Sequence, residues 1–512
     1  MMFYIIYIGL NNEKIITGHT GSCGCRKNYI VRSASVSEMR NYQSDINAPS
    51  SGCAGINKMT ENNKVRTNKY EMDMTVGELL PKLLVFSVPL MLSGILQLLF
   101  NLADMIVIGQ FSSTNALAAI GGTSSLINFF VNVAIGISIG SNVVVSHFFG
   151  AGKKKEIHDA VHTSILLAVI LGVGVGITAI LLCRPVLELM KTPDDVIDLS
   201  VLYVRIYFAG LPLMMLYNFG SAILRAVGDT KRPLYFLTAG GVINVILNLF
   251  FVCVLHMSVD GVALATVISQ TISAALVLNC LMKTDSSYKL IVKDLHIDKR
   301  IMKSILKIGL PAAVQGMIFS ISNMLIQSSV NHFGTDAIAG NTEAMNLEGF
   351  VYTSMNSFYQ TAISFTSQNI GAGKYDRINK IMWRCLLLVF IVGFVLGNLF
   401  NFFGTPLLRL YKNDPEVIRY GLLRMSIIMT TYFTCGMMDV MCGMMRGLGY
   451  GILPMMVSLI GACGLRVVWV FTFFRTYHTL ESLYVSYPIS WVITGLVHLI
   501  CFFIVRKKLL KN

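Results

Sequence analysis

A carboxylate with three polar companions lies in one of the most apolar stretches of this chain. Four polar side chains recur at helical spacing within LSGILQLLFNLADMIVIGQF (residues 92–111): Ser93, Gln97, Asn101 and Asp104. This spacing places them on one face of a helix. An acid inside a membrane helix costs at least about 3 kcal/mol on insertion scales, and such acids face cavities or ion paths. We therefore interpret Asp104 as a cation-binding residue rather than a purely structural carboxylate.

The same helix offers two further features. Gln97 and Asn101 become candidates for the substrate path because they share the face of Asp104. Pro89 lies 15 residues before Asp104 and gives the helix a place to bend. Protonation or a bound Na⁺ would neutralise Asp104 and change which helix packing is preferred.

Amide and hydroxyl side chains on two later segments are candidate companions of Asp104. In NVILN, Asn244 and Asn248 lie one helical turn apart, and Thr266 lies in GVALATVISQ. Such groups can bind a cation or hydrogen-bond a carboxylate, although each alone is more often an interhelical contact. We assign these three residues, with Asp104, to a candidate cation-coupling site for H⁺ or Na⁺, and predict no other metal site.

The second half of the chain carries its acids elsewhere. Its candidate cavity residues are Asn323, Gln327, Glu348 and Asp439. For the two acids, a pocket for cationic substrates is one interpretation, and pairing with Arg446 or Arg466 is the other. Glu343, nearer a helix end, fits pairing better. The methionine-rich stretch at 436–447 suits either a promiscuous pocket or ordinary packing in a membrane.

The composition indicates a membrane protein. Of 512 residues, 54% are hydrophobic and 13% are charged, more apolar surface than a soluble domain can bury. The net charge of +14 comes from short basic clusters between apolar runs, which is typical of cytoplasmic loops rather than of nucleic-acid binding. The cysteines are scattered without a disulfide framework.

Twelve apolar segments are each long enough to cross a bilayer, which predicts an all-α polytopic protein. The spans are 80–108, 118–148, 159–183, 200–223, 234–256, 261–282, 304–332, 338–368, 380–403, 418–444, 452–474 and 483–505. One set of alternate loops carries most of the lysine and arginine, so both termini are expected in the cytoplasm. Residues 1–71 are polar and aperiodic, and we expect either a disordered extension or a start codon placed too early.

Three motif pairs reveal an internal repeat. SHFFGAGK and SQNIGAGK, RPVLELMKTPDDVI and TPLLRLYKNDPEVI, and ILRAVGDTKRP and MMRGLGYGILP are all offset by 221 residues. Each repeat holds six spans, so both enter the membrane in the same direction. We predict an N-lobe at 72–282, a cytoplasmic linker at 283–303 and a C-lobe at 304–512.

Enzymatic chemistry finds no support in the sequence. GAGK at 371–374 is similar to a phosphate-binding loop, but Tyr375 stands where that loop needs serine or threonine. Its twin at 150–153 indicates a turn between helices instead. Neither a metal cluster nor a nucleophile–base motif rises above chance, and we expect no cofactor.

Together these motifs resemble the multidrug and toxic compound extrusion (MATE) family, in particular its MepA-like bacterial branch, over about residues 72–510. The resemblance implies export of cationic lipophilic drugs or metabolites in exchange for H⁺ or Na⁺, by a monomer in the bacterial inner membrane. It matches the family's first-span acid to Asp104, its bending proline to Pro89, and its cation site to Asn244 and Thr266. Many members have a second acid where this chain has Asn248, which favours H⁺ over Na⁺.

A lipid or lipid-linked oligosaccharide flippase of the same superfamily shape is the alternative. A cavity for polyanionic headgroups should carry several arginines or lysines, whereas the spans contain few, chiefly Arg466, and more acids. That balance favours cationic substrates. A channel does not explain the duplication, and a major-facilitator transporter would need a different loop from GAGKKKE between its second and third spans.

Overall fold

The computed structural model describes residues 70–411 and 413–511. All but the last two residues of the extension predicted at 1–71 lie outside these ranges. Tyr70–Leu499 forms one compact unit, and the residues from Ile500 onward belong to a second unit. All the regular secondary structure of the described residues is helical.

The described part of the first half contains seven α-helices. Their bounds are α1 Leu79–Phe111, α2 Thr114–Gly150, α3 Lys154–Leu189, α4 Asp194–Ala209, α5 Leu211–Ala226, α6 Lys231–Leu249 and α7 Val259–Lys283. Helices α4 and α5 meet at Gly210 with a bend of 45° and together cover the fourth predicted span. A π-helical turn, Phe250–Val254, continues α6 to the end of the fifth span.

The second half repeats this order. Its helices are α8 Lys299–Val330, α9 Thr335–Gly371, α10 Tyr375–Phe402, α11 Gly404–Arg409, α12 Pro415–Thr431, α13 Phe433–Gly447, α14 Ile452–Ser458, α15 Leu465–Trp469, α16 Arg475–Tyr477 and α17 Leu480–Lys511. Helices α12 and α13 bend by 46° at Tyr432, at the same place in the order as the bend at Gly210. Two π-helical turns, Leu459–Gly464 and Val470–Phe474, join α14, α15 and α16 end to end.

Side-chain caps fix where two long helices begin. The Ser113 hydroxyl accepts a hydrogen bond from the Ala116 N–H at 3.2 Å, ahead of α2. The Asp298 carboxylate accepts from the N–H groups of Arg300 and Ile301, at 2.8 and 3.1 Å, ahead of α8. These bonds satisfy N–H groups that the first helical turn leaves without partners. Asp298 therefore marks the start of α8.

The two GAGK motifs form turns with the same backbone shape. Gly152 and Gly373 have φ of +67° and +68°, a left-handed conformation that glycine adopts without steric cost. Each turn ends one long helix and begins the next, α2 to α3 and α9 to α10. The interpretation of GAGK as an interhelical turn agrees with this geometry.

The helix ends before these turns pack against each other across the two halves. A Cβ atom on Gly150 would lie 2.0 Å from the Gln368 carbonyl oxygen, and one on Gly371 would lie 1.9 Å from the His147 carbonyl oxygen. Both distances are far shorter than atoms tolerate. Only glycine permits this reciprocal backbone contact between the two halves.

Helix α9 corresponds to the eighth predicted span and carries an unusually polar face. Its residues Ser364, Gln368 and Asn369 are fully buried, and the Gln368 side-chain amide donates to the Ala226 carbonyl of the first half at 2.7 Å. The polar side chains are therefore buried between the halves rather than exposed to lipid.

This burial explains a difference from the predicted number of spans. Among the described residues, nine helices are long and apolar enough to cross a membrane, or eleven if each bent pair counts as one. Each of the twelve predicted spans nevertheless coincides with a helix, a bent pair or a π-joined run. The span that length and hydropathy miss is α9. Large apolar side chains such as Leu181, 71% exposed, and Phe402, 80% exposed, cover the outer surface that a bilayer would contact.

Candidate functional site

The structure brings together the four residues assigned to cation coupling. The Asn248 side-chain amide on α6 donates a hydrogen bond to the Asp104 carboxylate on α1. The same amide lies 3.4 Å from the Asn244 side-chain oxygen, and the Asn244 amide lies 3.5 Å from the Thr266 hydroxyl on α7. We call these four residues the coupling cluster. It joins three helices of the first half.

The Asp104 carboxylate has one polar partner and no basic one. Among the described residues, Asn248 is its hydrogen-bond partner, and no charged group acts on it. The Asn248 side-chain oxygen is buried and accepts no hydrogen bond from that part of the chain. A carboxylate without a counter-ion and an amide oxygen that accepts no hydrogen bond from the described residues lie side by side, and a cation would stabilise both.

Helix α1 is closely packed on both of its neighbours. The Phe100 ring lies against Gly241 of α6, where a Cβ atom would meet ring carbons at 1.8 Å, and Gly94 faces Thr353 of α9. Pro89 is buried within the helix, and its carbonyl oxygen accepts a hydrogen bond from the Ser93 hydroxyl at 2.8 Å. A bend at Pro89 would therefore alter the contacts of α1 with both halves.

A central cavity of about 400 Å³ lies apart from this cluster. Most of its lining comes from the second half, and Asn132, Ile135, Gly136 and Ile139 of α2 complete it. Three of the six residues expected in the substrate path line this cavity: Asn323, Glu348 and Asp439. Gln97 and Asn101 are exposed on α1 and do not line it, and neither does Gln327.

Glu348 has a partner that the sequence did not suggest. The Arg424 guanidinium holds both of its carboxylate oxygens, at 2.7 and 2.8 Å, and both residues are buried. Arg424 also donates to the Asn341 side-chain oxygen at 2.9 Å, and Asn341 donates to Gln327 at 2.7 Å. The pairing expected with Arg446 or Arg466 is thus replaced by Arg424, and Gln327 supports this network from behind the cavity wall.

Asp439 differs from Glu348 because no basic side chain pairs with it. Tyr352 lines the cavity beside it. Arg446 and Arg466 act on it only through the electric field, since neither forms an ion pair with it within the described residues. Asp439 is therefore a carboxylate that faces the cavity and remains available to a cationic group.

Three arginines line the cavity: Arg424, Arg446 and Arg466. Arg424 lies inside the predicted span 418–444 and Arg446 lies two residues beyond its end, and both are buried inside helices. The apolar residues on both sides of Arg446 are the signal that could have extended the predicted span to include it. The methionine-rich stretch contributes one methionine, Met438, to the lining, and Met441, Met444 and Met445 pack elsewhere.

A family model described as MatE matches the chain twice, over residues 89–250 and 311–472. Each match opens on a proline inside a long helix, Pro89 in α1 and Pro311 in α8. The double match agrees with the internal repeat read from the motif pairs.

Proteins of known sequence and known structure are also similar to this chain over most of its length. The probable multidrug resistance protein YoeA of Bacillus subtilis is 29% identical over 425 residues, 81% of this chain and 91% of that protein. The multidrug export protein MepA of Staphylococcus haemolyticus is 20% identical over 420 residues, 79% of this chain and 92% of that protein. A solved outward-facing multidrug resistance MATE transporter of the MOP superfamily superimposes with a TM-score of 0.81 at 20% identity, over 87% of this chain and all of that one.

The repeat, the helical order and the double family match lead to one conclusion: this chain belongs to the MatE family of multidrug efflux transporters.

Proposed function

We propose that this protein exports cationic lipophilic compounds by antiport, with Asp104 binding the coupling cation. The single observation that carries the proposal is the environment of Asp104. It is an acid in a membrane helix with an amide partner, Asn248, and no basic partner in the described residues. An ionised carboxylate in such a place is costly, so a transported cation supplies the missing charge.

H⁺ is the ion that we favour. A proton needs only the Asp104 carboxylate, whereas Na⁺ needs several oxygen ligands around it. Asn248 provides an unpaired side-chain oxygen, and Asn244 and Thr266 lie beside it. These neutral ligands would support Na⁺ more weakly than a second carboxylate would, because charge attraction supplies much of the binding energy of a metal ion.

Neutralising Asp104 would weaken its hydrogen bond to Asn248, because bonds to a charged acceptor are about twice as strong as bonds to a neutral one. Helix α1 could then bend at Pro89 and change its packing on α6 and α9. Antiport requires only that the cation and the substrate stabilise different conformations. The membrane potential contributes about 2.3 kcal/mol per charge per 100 mV to such an exchange.

The cavity supports the cationic part of the proposal. The Asp439 carboxylate faces it without an ion-pair partner in the described residues, and Tyr352 lies beside it. A lipophilic cation would meet both a counter-charge and aromatic faces. We further propose a monomer in the bacterial inner membrane with both termini in the cytoplasm, and lobes at 72–282 and 304–512 joined by a cytoplasmic linker.

One observation favours the flippase alternative. Three arginines line the cavity, more than the sequence suggested, and a lipid with an anionic headgroup would bind to such a surface. Glu348 neutralises one of them, Arg424, so the remaining positive charge is smaller than the count implies.

Ethidium efflux from energised, pump-deficient bacteria tests the proposal. The wild type is compared with Asp104→Asn and with a control, Asp195→Asn, an exposed acid at the start of α4, at matched membrane expression. We expect the wild type and the control to expel ethidium and Asp104→Asn to lose efflux. If none of the three moves ethidium, drug export fails and lipid transport gains support. Equal efflux by all three would contradict the role of Asp104.

A further inference from the structure

We propose that the central cavity also binds aromatic organic anions, with the Arg466 guanidinium holding their anionic group. This inference rests on the proposed function, because it widens the substrate class of the same cavity. It does not depend on the coupling cluster, which lies on other helices.

Arg466 is a buried cation whose neighbours leave its charge uncompensated. Its side chain is 3% exposed and lies on α15. The Nε–H donates to the Ser490 hydroxyl at 3.0 Å, and Nη1 reaches the Asn323 side-chain oxygen at 3.5 Å. Both partners are neutral, and no carboxylate of the described residues forms an ion pair with it. A buried guanidinium without a counter-ion is costly, and an anion in the cavity would remove that cost.

The other charges of the cavity leave a positive excess. Glu348 and Arg424 pair with each other, which leaves Asp439, Arg446 and Arg466. Arg446 donates to the Tyr359 hydroxyl and, at 2.8 Å, to the Gln315 side-chain oxygen, both neutral groups. Two arginines therefore face one carboxylate. A cation bound at Asp439 would leave both guanidiniums without a carboxylate partner in the cavity.

Aromatic rings surround Arg466 and define the shape of its ligand. The guanidinium lies 4.2 Å from the ring centre of Tyr487 and 5.4 Å from that of Trp491. Trp491 packs on Tyr432 at 5.3 Å, and all three rings line the cavity. A flat aromatic substrate can pack on these rings while its carboxylate, sulfonate or phosphate reaches the guanidinium, whose planar donors match such groups. Aliphatic anions would gain only the charge contact.

Binding of two dyes with the same ring system and opposite charge tests this inference. Fluorescein carries a carboxylate and is anionic, whereas rhodamine 6G has its carboxylate blocked as an ester and is cationic. Fluorescence anisotropy would follow each dye as purified, full-length protein in detergent is titrated in. Arg466→Gln is compared with the wild type, and Arg466→Lys retains the charge without the planar guanidinium.

We expect the wild type to bind both dyes. Arg466→Gln should weaken fluorescein binding by roughly tenfold or more, as for the loss of a charge-assisted hydrogen bond, and leave rhodamine 6G binding within about twofold. The affinity of Arg466→Lys for fluorescein should lie between that of the wild type and that of Arg466→Gln. If the glutamine variant does not fold, the lysine variant supplies the comparison.

Absence of fluorescein binding to the wild type would overturn the inference, as would equal fluorescein binding by all three proteins. Either result would leave ethidium efflux and its dependence on Asp104 intact, so failure here is distinguishable from failure of the proposed function. If the folded variants lose binding of both dyes to the same extent, Arg466 has a purely structural role and the inference is overturned.

Discussion

Asn248 on α6 donates a hydrogen bond to the Asp104 carboxylate on α1, although 144 residues separate the two along the chain. The bond links the charge of one partly buried acid to the packing of two helices. Because the Asn248 side-chain oxygen remains unpaired within the described residues, the amide has one group engaged with the acid and one free to bind a cation.

Replacing Asn248 by aspartate adds a second carboxylate beside Asp104. Two adjacent carboxylates repel each other unless a cation neutralises them, and this pair would bind Na⁺ more tightly than the present cluster does. We expect Na⁺ to stimulate ethidium efflux by Asn248→Asp at constant pH, with choline as the comparison ion. Asn115→Asp, at an exposed position in the first turn of α2 and outside the predicted span, is the matched control. An unchanged Na⁺ response in Asn248→Asp would argue against Asn248 as part of the ion site.

Replacing Pro89 by alanine should stabilise the protein and slow transport. A proline inside a helix removes a backbone hydrogen bond and costs about 3 kcal/mol or more. Alanine restores that bond, so α1 loses its place to bend while thermal unfolding in detergent moves to higher temperature. Pro185→Ala within α3 is the control: it should raise the temperature of thermal unfolding without slowing ethidium efflux. Full efflux by Pro89→Ala would show that transport needs no bend at this residue.

Adding a methyl group to Gly371 should separate the two halves where α2 and α9 end. The new Cβ atom would lie 1.9 Å from the His147 carbonyl oxygen, so the backbones must move apart. We expect Gly371→Ala to lower the midpoint of thermal unfolding and to reduce efflux. Gly122→Ala on α2 meets no atom within 4 Å and serves as the control. A Gly371→Ala protein with wild-type stability and efflux would mean that this contact is not needed in any transport state.

Breaking the ion pair of Glu348 and Arg424 should destabilise the second half. Glu348→Gln leaves a buried guanidinium without its counter-ion, a change that typically costs about 3 to 5 kcal/mol. We expect thermal unfolding at a clearly lower temperature, and partial recovery when Arg424→Met is added because the unpaired charge is then absent. A Glu348→Gln midpoint within error of the wild type would refute a stabilising role for the pair.

Hydropathy and motif spacing predicted the helices and the repeat well, because both depend on local sequence. The twelve spans coincide with helices, and the motif pairs coincide with matching turns such as those at Gly152 and Gly373. Helix α9 was predicted as one of the twelve apolar segments, at 338–368, although it is the least apolar of the long helices by the hydropathy of its span. Its polar side chains contact the first half rather than lipid, which explains why average hydropathy misses it.

Partners distant in the chain were harder to predict. The cluster of Asp104, Asn244, Asn248 and Thr266 was assembled partly from a family resemblance, since spacing along separate helices does not reveal proximity. Arg424 lies in the predicted span 418–444, but its pairing with Glu348 depends on how α9 packs against α12. Gln97 and Asn101 share a helix face with Asp104, but that face does not line the central cavity.

The most direct test of the central claim measures protons and substrate together. In everted membrane vesicles with an acidified interior, a pH-sensitive fluorescent dye reports proton release when ethidium is added in buffer free of Na⁺. We predict that ethidium triggers proton release from vesicles containing the wild type or Asp195→Asn and not from those containing Asp104→Asn. Proton release by Asp104→Asn equal to that of the wild type, or wild-type exchange that occurs only with Na⁺ and ignores the pH gradient, would contradict H⁺ coupling through Asp104.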